Sequence, residues 1–226
     1  AYDDDEKKIK EAQTAGLKTQ NLRELDWLKI AALVLAPGVP LTHPKPHWAA
    51  SLARKANVEV IGDIELFCRE RAKSGPGSSL VAITGTNGKS TTTALTAHLL
   101  KSAGRDAQMG GNIGVPVLAL EPFNSGRVYV LEISSYQIDL APSLRPTVGI
   151  LLNVTEDHLD RHGSFAAYLE AKVRIFRNQT PSDWAVVNGD DPQVVRLGRD
   201  MGALEGRPLQ ILGIEAEAFA QYPAQP

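Results

Sequence analysis

The stretch Val81-Ala-Ile-Thr-Gly-Thr-Asn-Gly-Lys-Ser-Thr-Thr-Thr93 constrains the fold more than any other part of the 226 residues. An apolar strand, Leu80 to Ile83, runs into a glycine-rich turn. A lysine and a hydroxyl follow, and then a helix-forming run from Ala94 to Ala103. This is the layout of a phosphate cradle. Glycines let backbone N–H groups approach phosphate oxygens, and the helix N-terminus adds partial positive charge. Lys89 can reach the β- and γ-phosphates of a nucleotide, and the Ser90 hydroxyl can sit on Mg²⁺. The spacing G-x-x-x-x-G-K-[ST] would need glycine at position 83, where the chain has Ile83. The loop is therefore one residue type short of the general pattern. The competing reading is a solvated turn that holds Gly85 and Gly88 by chance. Strand, loop and helix in the right order argue against it.

The remaining composition excludes several classes. A net charge of −2 offers no basic field for nucleic acid. No run of eighteen apolar residues and no signal peptide are present, so no membrane role is expected. The acidic run Asp3 to Glu6 followed by Lys7 and Lys8 reads as solvated surface. The single cysteine, Cys68, fits a reducing compartment, and the expectation is a cytoplasmic monomer. Cys68 lies on an apolar helical stretch, which suits packing better than chemistry. Both ends read as cut, and a partial chain is expected.

Elements alternate along the chain. Helical signals cover Glu6 to Ala15, Trp48 to Ala56 and Ile64 to Ala72, and strand signals cover Ala31 to Ala36 and Val58 to Ile61. Lys73-Ser-Gly-Pro-Gly-Ser-Ser79 is the strongest linker signal. Further strands are expected at Val128 to Leu131, Val148 to Leu152, Trp184 to Val187 and Leu209 to Leu212, with a helix from Phe165 to Arg177. The expected fold is α/β. Residues 1–75 form an incomplete Rossmann-like domain, and residues 76–226 a P-loop-type central ATPase domain with a mostly parallel sheet.

Open α/β sheets bind ligands at the carboxyl ends of their strands. One such end, Tyr129-Val-Leu-Glu-Ile-Ser-Ser-Tyr-Gln137, delivers Glu132, an oxygen ligand suited to Mg²⁺. Another is Leu151-Leu-Asn-Val-Thr-Glu-Asp-His-Leu-Asp-Arg-His162, where an apolar strand enters a dense polar cluster. There His158 can ligate a metal, while Asp157, Asp160 and Arg161 can order the loop by ion pairs. His162 stays open between a structural and a functional role. Gly110-Gly-Asn-Ile-Gly114 is a second glycine-rich turn, and Asn188-Gly-Asp-Asp191 reads as a turn. Lys172 reads as one exposed lysine of a helix, between Glu170 and Arg174.

Taken together, these segments resemble the Mur ligase family of ATP-dependent amide-bond-forming enzymes. Gly85-Thr-Asn-Gly-Lys-Ser-Thr91 is similar to that family's shortened phosphate loop, which accounts for Ile83. Gly110 to Gly114, Leu131 to Gln137 and Asn153 to Arg161 resemble its D-glutamate-adding branch. Pro37 to Pro44 and Gly62 to Phe67 are similar to that branch's first domain. The resemblance implies that ATP phosphorylates the carboxylate of UDP-MurNAc-L-alanine and that D-glutamate then attacks the acyl phosphate. By the same resemblance, Gly85, Thr86, Asn87, Gly88, Lys89, Ser90 and Thr91 hold ATP. Ser90 and Glu132 belong to a Mg²⁺ shell, and His158 to a second metal position. Asn112, Ser134 and Gln137 hold the nucleotide-sugar. Lys172 matches a lysine that becomes carbamylated and ligates metal. Lys89, His158 and Lys172 are then the catalytic set.

Two departures and two rivals accompany this expectation. Ala36 stands where the resemblance leads one to expect a serine before Pro37-Gly38. The chain also stops before the family's last domain, so alone it is expected to be inactive. The rivals are another Mur or folylpolyglutamate-type ligase and a non-catalytic nucleotide-binding fragment.

Overall fold

The computed structural model describes residues 1–196 and 209–212. In chain order the elements are α1 (Glu6–Thr14), β1 (Ala32–Val34), α2 (Trp48–Lys55), β2 (Glu59–Ile61), α3 (Asp63–Ser74), β3 (Ser79–Thr84), α4 (Lys89–Ser102), β4 (Ala107–Gly111), β5 (Val128–Glu132), α5 (Ser135–Asp139), β6 (Val148–Leu151), α6 (Leu159–His162), α7 (Phe165–Val173), β7 (Trp184–Asn188) and β8 (Leu209–Leu212). The fold is α/β. A two-stranded parallel sheet pairs β1 with β2, and a six-stranded parallel sheet runs β4-β5-β3-β6-β7-β8.

Strand β3 is buried along nearly its whole length and lies between β5 and β6. Its side chains alternate between two cores, as the two-residue period of a strand requires. Leu80 and Ala82 face a core with Ile64, Phe67, Tyr129, Leu131, Tyr168 and Phe176. Val81 and Ile83 face the opposite one, with Ala97 from α4, Ala107 and Val130. Helices thus cover both faces, as an all-parallel sheet demands.

The small lobe has its own core of Leu33, Leu35, Ala49, Ala50, Ala53 and Val58, joined by Leu140 from the large lobe. The expected linker begins where α3 ends, with Gly75 as its C-cap. Yet α3 packs on the large sheet, because Ile64, Phe67 and Cys68 belong to that core. Cys68 is buried, and burial pushes its thiol up to about 12, so it packs and does not react.

Three features differ from the sequence reading. Gly110 and Gly111 close strand β4 and are not a free turn, because glycine carries no apolar periodicity that would mark them as strand. The short helices α5 and α6 hold too few residues to show a period. The helix expected to reach Arg177 leaves α-geometry after Val173 and tightens into a 3₁₀ turn at Arg174–Phe176.

Glu65 on α3 is 1% exposed, and its carboxylate accepts from the Ser143 backbone N–H at 2.8 Å, the Ser143 hydroxyl at 2.9 Å and Arg69 Nε at 2.7 Å. Removing it takes the shared acceptor from both Ser143 donors and from Arg69 Nε. Glu65→Ala should therefore lower the unfolding free energy by about 1–3 kcal/mol. In urea titration the midpoint should fall with the slope unchanged, and an unmoved midpoint would contradict the assignment.

Candidate active site

The sheet order places three carboxyl ends side by side. From β3 the chain crosses α4 to β4 and β5 on one side, then returns to β6 on the other. The glycine-rich loop after β3 therefore emerges where the strand order reverses, the expected ligand position in such sheets. Ile83 pairs with Glu132, and Thr84 with Leu151, so the loop leaves level with both flanking strand ends.

The loop is laced to the chain after β6. The Thr86 N–H donates to the Asn153 carbonyl at 2.9 Å, and the Asn87 N–H donates to Asn153 Oδ1 at 2.9 Å. Asn153 Nδ2 returns a bond to the Asn87 carbonyl at 3.1 Å. The Thr155 N–H donates to Thr86 Oγ1 at 3.1 Å, and the Tyr168 hydroxyl lies 3.2 Å from that oxygen. Gly88 caps α4 at φ +82°, a conformation that side-chain-bearing residues adopt only with strain. Helix α4 begins at Lys89, five residues before the helix-forming run at Ala94, because this cap and not residue propensity sets its start.

Two ammonium groups meet at one carbonyl. Lys89 Nζ donates to the Gly85 carbonyl at 3.1 Å and to the Thr86 carbonyl at 2.8 Å. Lys172 Nζ donates to the same Gly85 carbonyl at 2.7 Å and lies 4.6 Å from the Tyr168 ring centroid. Lys172 is 2% exposed, which corrects the reading of it as an exposed helical lysine. Burial, and then the charge of Lys89, pull it down to about 7. The overlooked signal is periodicity. Phe165, Tyr168, Leu169, Lys172, Val173 and Phe176 follow the i, i+3, i+4, i+7 spacing, so Lys172 falls on the apolar stripe.

A second cluster sits beside the first. Ser90 Oγ donates to Glu132 Oε2 at 2.7 Å, and Asn112 Nδ2 donates to Glu132 Oε1 at 2.9 Å. The Asn112 N–H also donates to the Glu132 carbonyl at 2.8 Å. This doubling back needs Gly111, which has φ +101° and whose added Cβ would lie 2.3 Å from the Glu132 carbonyl oxygen. Glu132 is 2% exposed. A buried carboxylate and a hydroxyl at a helix N-terminus form a hard oxygen donor pair, which fits Mg²⁺.

The remaining expected residues are placed as follows. Thr91 is exposed in the first turn of α4. Ser134 and Gln137 bond one another in a capping box at the start of α5, with Gln137 buried. His158 sits in the left-handed conformation at the N-cap of α6, half exposed, 3.4 Å from Asp157 and 5.2 Å in ring centroids from Tyr136. It does not join Glu132 in a cluster: among the described residues no three His, Cys, Asp or Glu side chains gather as a metal site. Arg161 does not order this loop by an ion pair but donates to backbone carbonyls of the small lobe. Asp191, read only as part of a turn, accepts from the Val154 N–H at 3.1 Å and so steadies the chain after β6.

His162 resolves toward structure. Its Nε2 lies 2.9 Å from Ser135 Oγ, its Nδ1 3.8 Å from Asp139 Oδ2, and its ring stacks on Tyr136 at 5.4 Å.

A family profile described as the Mur ligase middle domain matches residues 83–221. The chain belongs to the Mur ligase family. It is 62% identical over 191 residues to the UDP-N-acetylmuramoylalanine--D-glutamate ligase of Nitrobacter hamburgensis, covering 84% of this chain and 41% of that one. It is 53% identical over 232 residues to the enzyme of the same name from Rhizobium meliloti, covering 100% of this chain and 50% of the relative. The chain thus spans about half the length of these curated relatives, or less. Among solved structures, a UDP-N-acetylmuramate:L-alanyl-gamma-D-glutamyl-meso-diaminopimelate ligase from Neisseria meningitides matches at TM-score 0.54 and 19% identity, over 88% of this chain and 64% of that one. MurF ligase from Thermotoga maritima in complex with ADP matches at TM-score 0.51 and 20% identity, over 85% and 52%. These two likenesses establish the shared fold. No helix among the described residues is long and apolar enough to cross a membrane.

The burial of His162 has a consequence for acid stability. Burial, and then the charge of Lys172, lower it from 6.5 to about 4. Between those values the unfolded chain binds the proton and the folded chain does not, so stability falls as pH falls through the window. Asp139, raised to about 6 by burial, acts in the opposite sense because its folded form takes up the proton first. Relative to His162→Gln, the parent should lose Tm steadily from pH 6.5 to 4. Parallel profiles for the two proteins would contradict a buried neutral His162.

Proposed function

We propose that this chain is the ATP-binding part of a ligase that joins D-glutamate to UDP-MurNAc-L-alanine in peptidoglycan precursor synthesis. The observation that carries the reading is the convergence of Lys89 and Lys172 on the Gly85 carbonyl, beside the Ser90–Glu132 pair. Fifty-three to sixty-two per cent identity to relatives that carry that activity in their name supports the choice of substrates. The ADP bound by the Thermotoga maritima relative supports ATP as the nucleotide.

In this reading the N–H groups at the start of α4 and the Lys89 ammonium hold the β- and γ-phosphates, so the charge that develops on the transferring phosphoryl group meets fixed positive charge. Ser90 and Glu132 would hold Mg²⁺, which would neutralise charge on the phosphates. A carboxylate oxygen of UDP-MurNAc-L-alanine attacks the γ-phosphorus, the bond to the β-γ bridging oxygen breaks, and ADP leaves. The D-glutamate amine then attacks the acyl carbon, loses a proton, and expels phosphate. Asn112 orients Glu132, and the family resemblance assigns Asn112, Ser134 and Gln137 to the nucleotide-sugar. His158, exposed at the N-cap of α6, would supply a ligand to a second metal.

Lys172 has the chemistry that carbamylation requires. At about 7 a large fraction is neutral amine near neutral pH, and that amine adds CO₂ with loss of a proton. The product replaces one of two adjacent cations with an anion, relieving their repulsion and supplying a metal-ligating carboxylate. A lone buried cysteine supports a cytoplasmic setting.

The acyl phosphate gives the test. The complete ligase that contains this chain would be incubated with ATP, Mg²⁺, D-glutamate and UDP-MurNAc-L-alanine labelled with ¹⁸O in its carboxylate. One label should appear in the released phosphate, by mass spectrometry. Phosphate released without label would rule out this route.

A further inference from the structure

Both sheets are parallel, and their carboxyl ends face one seam. In the small lobe, β1 leads into Pro37–Val39 and β2 into Gly62. In the large lobe, β5 leads into Ser134–Gln137 and β6 toward His158. Strand carboxyl ends are where open α/β sheets bind ligands. A cleft between the two sets of loops is lined by Pro37, Val39, Tyr136, Asp139, Arg161 and His162.

One side chain spans that seam. Arg161 Nη1 donates to the Gly38 carbonyl at 2.8 Å, and Nη2 donates to the Pro37 carbonyl at 3.3 Å and the Val39 carbonyl at 3.2 Å. The planar guanidinium spans three consecutive carbonyls from two fixed, separated nitrogens, which the single nitrogen of a lysine cannot reproduce. The Arg161 guanidinium carbon lies 4.6 Å from the Tyr136 ring centroid. Tyr136 in turn contacts the rings of His158 at 5.2 Å and His162 at 5.4 Å. Loops after β1, β5 and β6 are thereby pinned at a single point.

Other contacts dock the lobes without it. The Gly62 N–H donates to the Leu140 carbonyl at 2.8 Å, and Leu140 is packed into the small lobe's core. Loss of Arg161 therefore leaves the lobes joined but frees the turn at Pro37–Val39 from the loop that carries His158.

We propose that Arg161 is a positioning residue that fixes the small lobe's ligand-facing turn at a set distance from the phosphate site, so that a substrate touching both lobes is held across a defined span. This rests on the reading above that the nucleotide-sugar reaches both lobes. Arg161 acts on the substrate through the turn and through Tyr136.

The test uses the chain with Arg161→Met and Arg161→Lys. Without ligand, hydrogen exchange should quicken at the Val39 amide, which bonds the Ala36 carbonyl at 2.9 Å, while amides of β3 and α4 keep the parent's rates. By titration calorimetry, UDP-MurNAc-L-alanine should bind at least about tenfold more weakly, with Mg-ATP affinity within about twofold of the parent. The lysine variant should behave like the methionine variant. Unchanged exchange at Val39, equal losses for both ligands, or a lysine variant that matches the parent would each overturn the proposal. A parent chain that binds no UDP-MurNAc-L-alanine would instead overturn the proposed substrate, and the exchange result alone would then decide Arg161.

Discussion

Two lysines that share one carbonyl oxygen set the character of this molecule. Lys89 and Lys172 approach the Gly85 carbonyl from different elements, α4 and α7, and among the described residues neither ammonium has a carboxylate partner within ion-pair distance. Burial first, and then repulsion from the Lys89 charge, lower the affinity of Lys172 for its proton. An anion at this point relieves the repulsion. The fold holds the arrangement because β3 is buried between two strands, and the loop it delivers is tied to the chain after β6 through Asn153 and Thr155.

The second cluster depends on the same strand. Glu132 pairs in register with Ile83, so the carboxylate arrives beside the first turn of α4, where the Ser90 hydroxyl meets it. Gly111 lets β4 turn sharply enough for Asn112 to hold the other carboxylate oxygen. Cation pair, oxygen pair and helix N-terminus lie together because three adjacent strands end level. That is sheet topology at work rather than any local preference. The seam to the small lobe follows the same logic, with two parallel sheets turned carboxyl end to carboxyl end and bridged by Arg161.

Much of this was legible in the sequence where chemistry and periodicity coincide. The order of strand, glycine-rich loop, lysine, hydroxyl and helix placed Lys89 and Ser90, and the polarity at a strand's end placed Glu132. The expected strands at 148–152 and 184–187 stand within one residue of β6 and β7. Residues whose role depends on what lies across the seam were not legible. Arg161 is one polar residue in a run of polar residues, and nothing local shows that its partners are carbonyls 122 to 124 positions earlier. Ser134 and Gln137 were marked by resemblance as substrate ligands, yet their spacing is also that of a capping box, which is how they bond here. Lys172 could have been found, since a lysine on an apolar stripe is costly unless the site uses its charge.

Mg-ATP binding to the parent chain and to Lys89→Ala tests the phosphate cradle most directly. Calorimetric titration should show affinity weakened at least about tenfold in the variant, the loss expected when a charge-assisted contact worth about 1.5–3 kcal/mol is removed. Equal affinity in the two proteins would mean that the loop after β3 does not hold the phosphates.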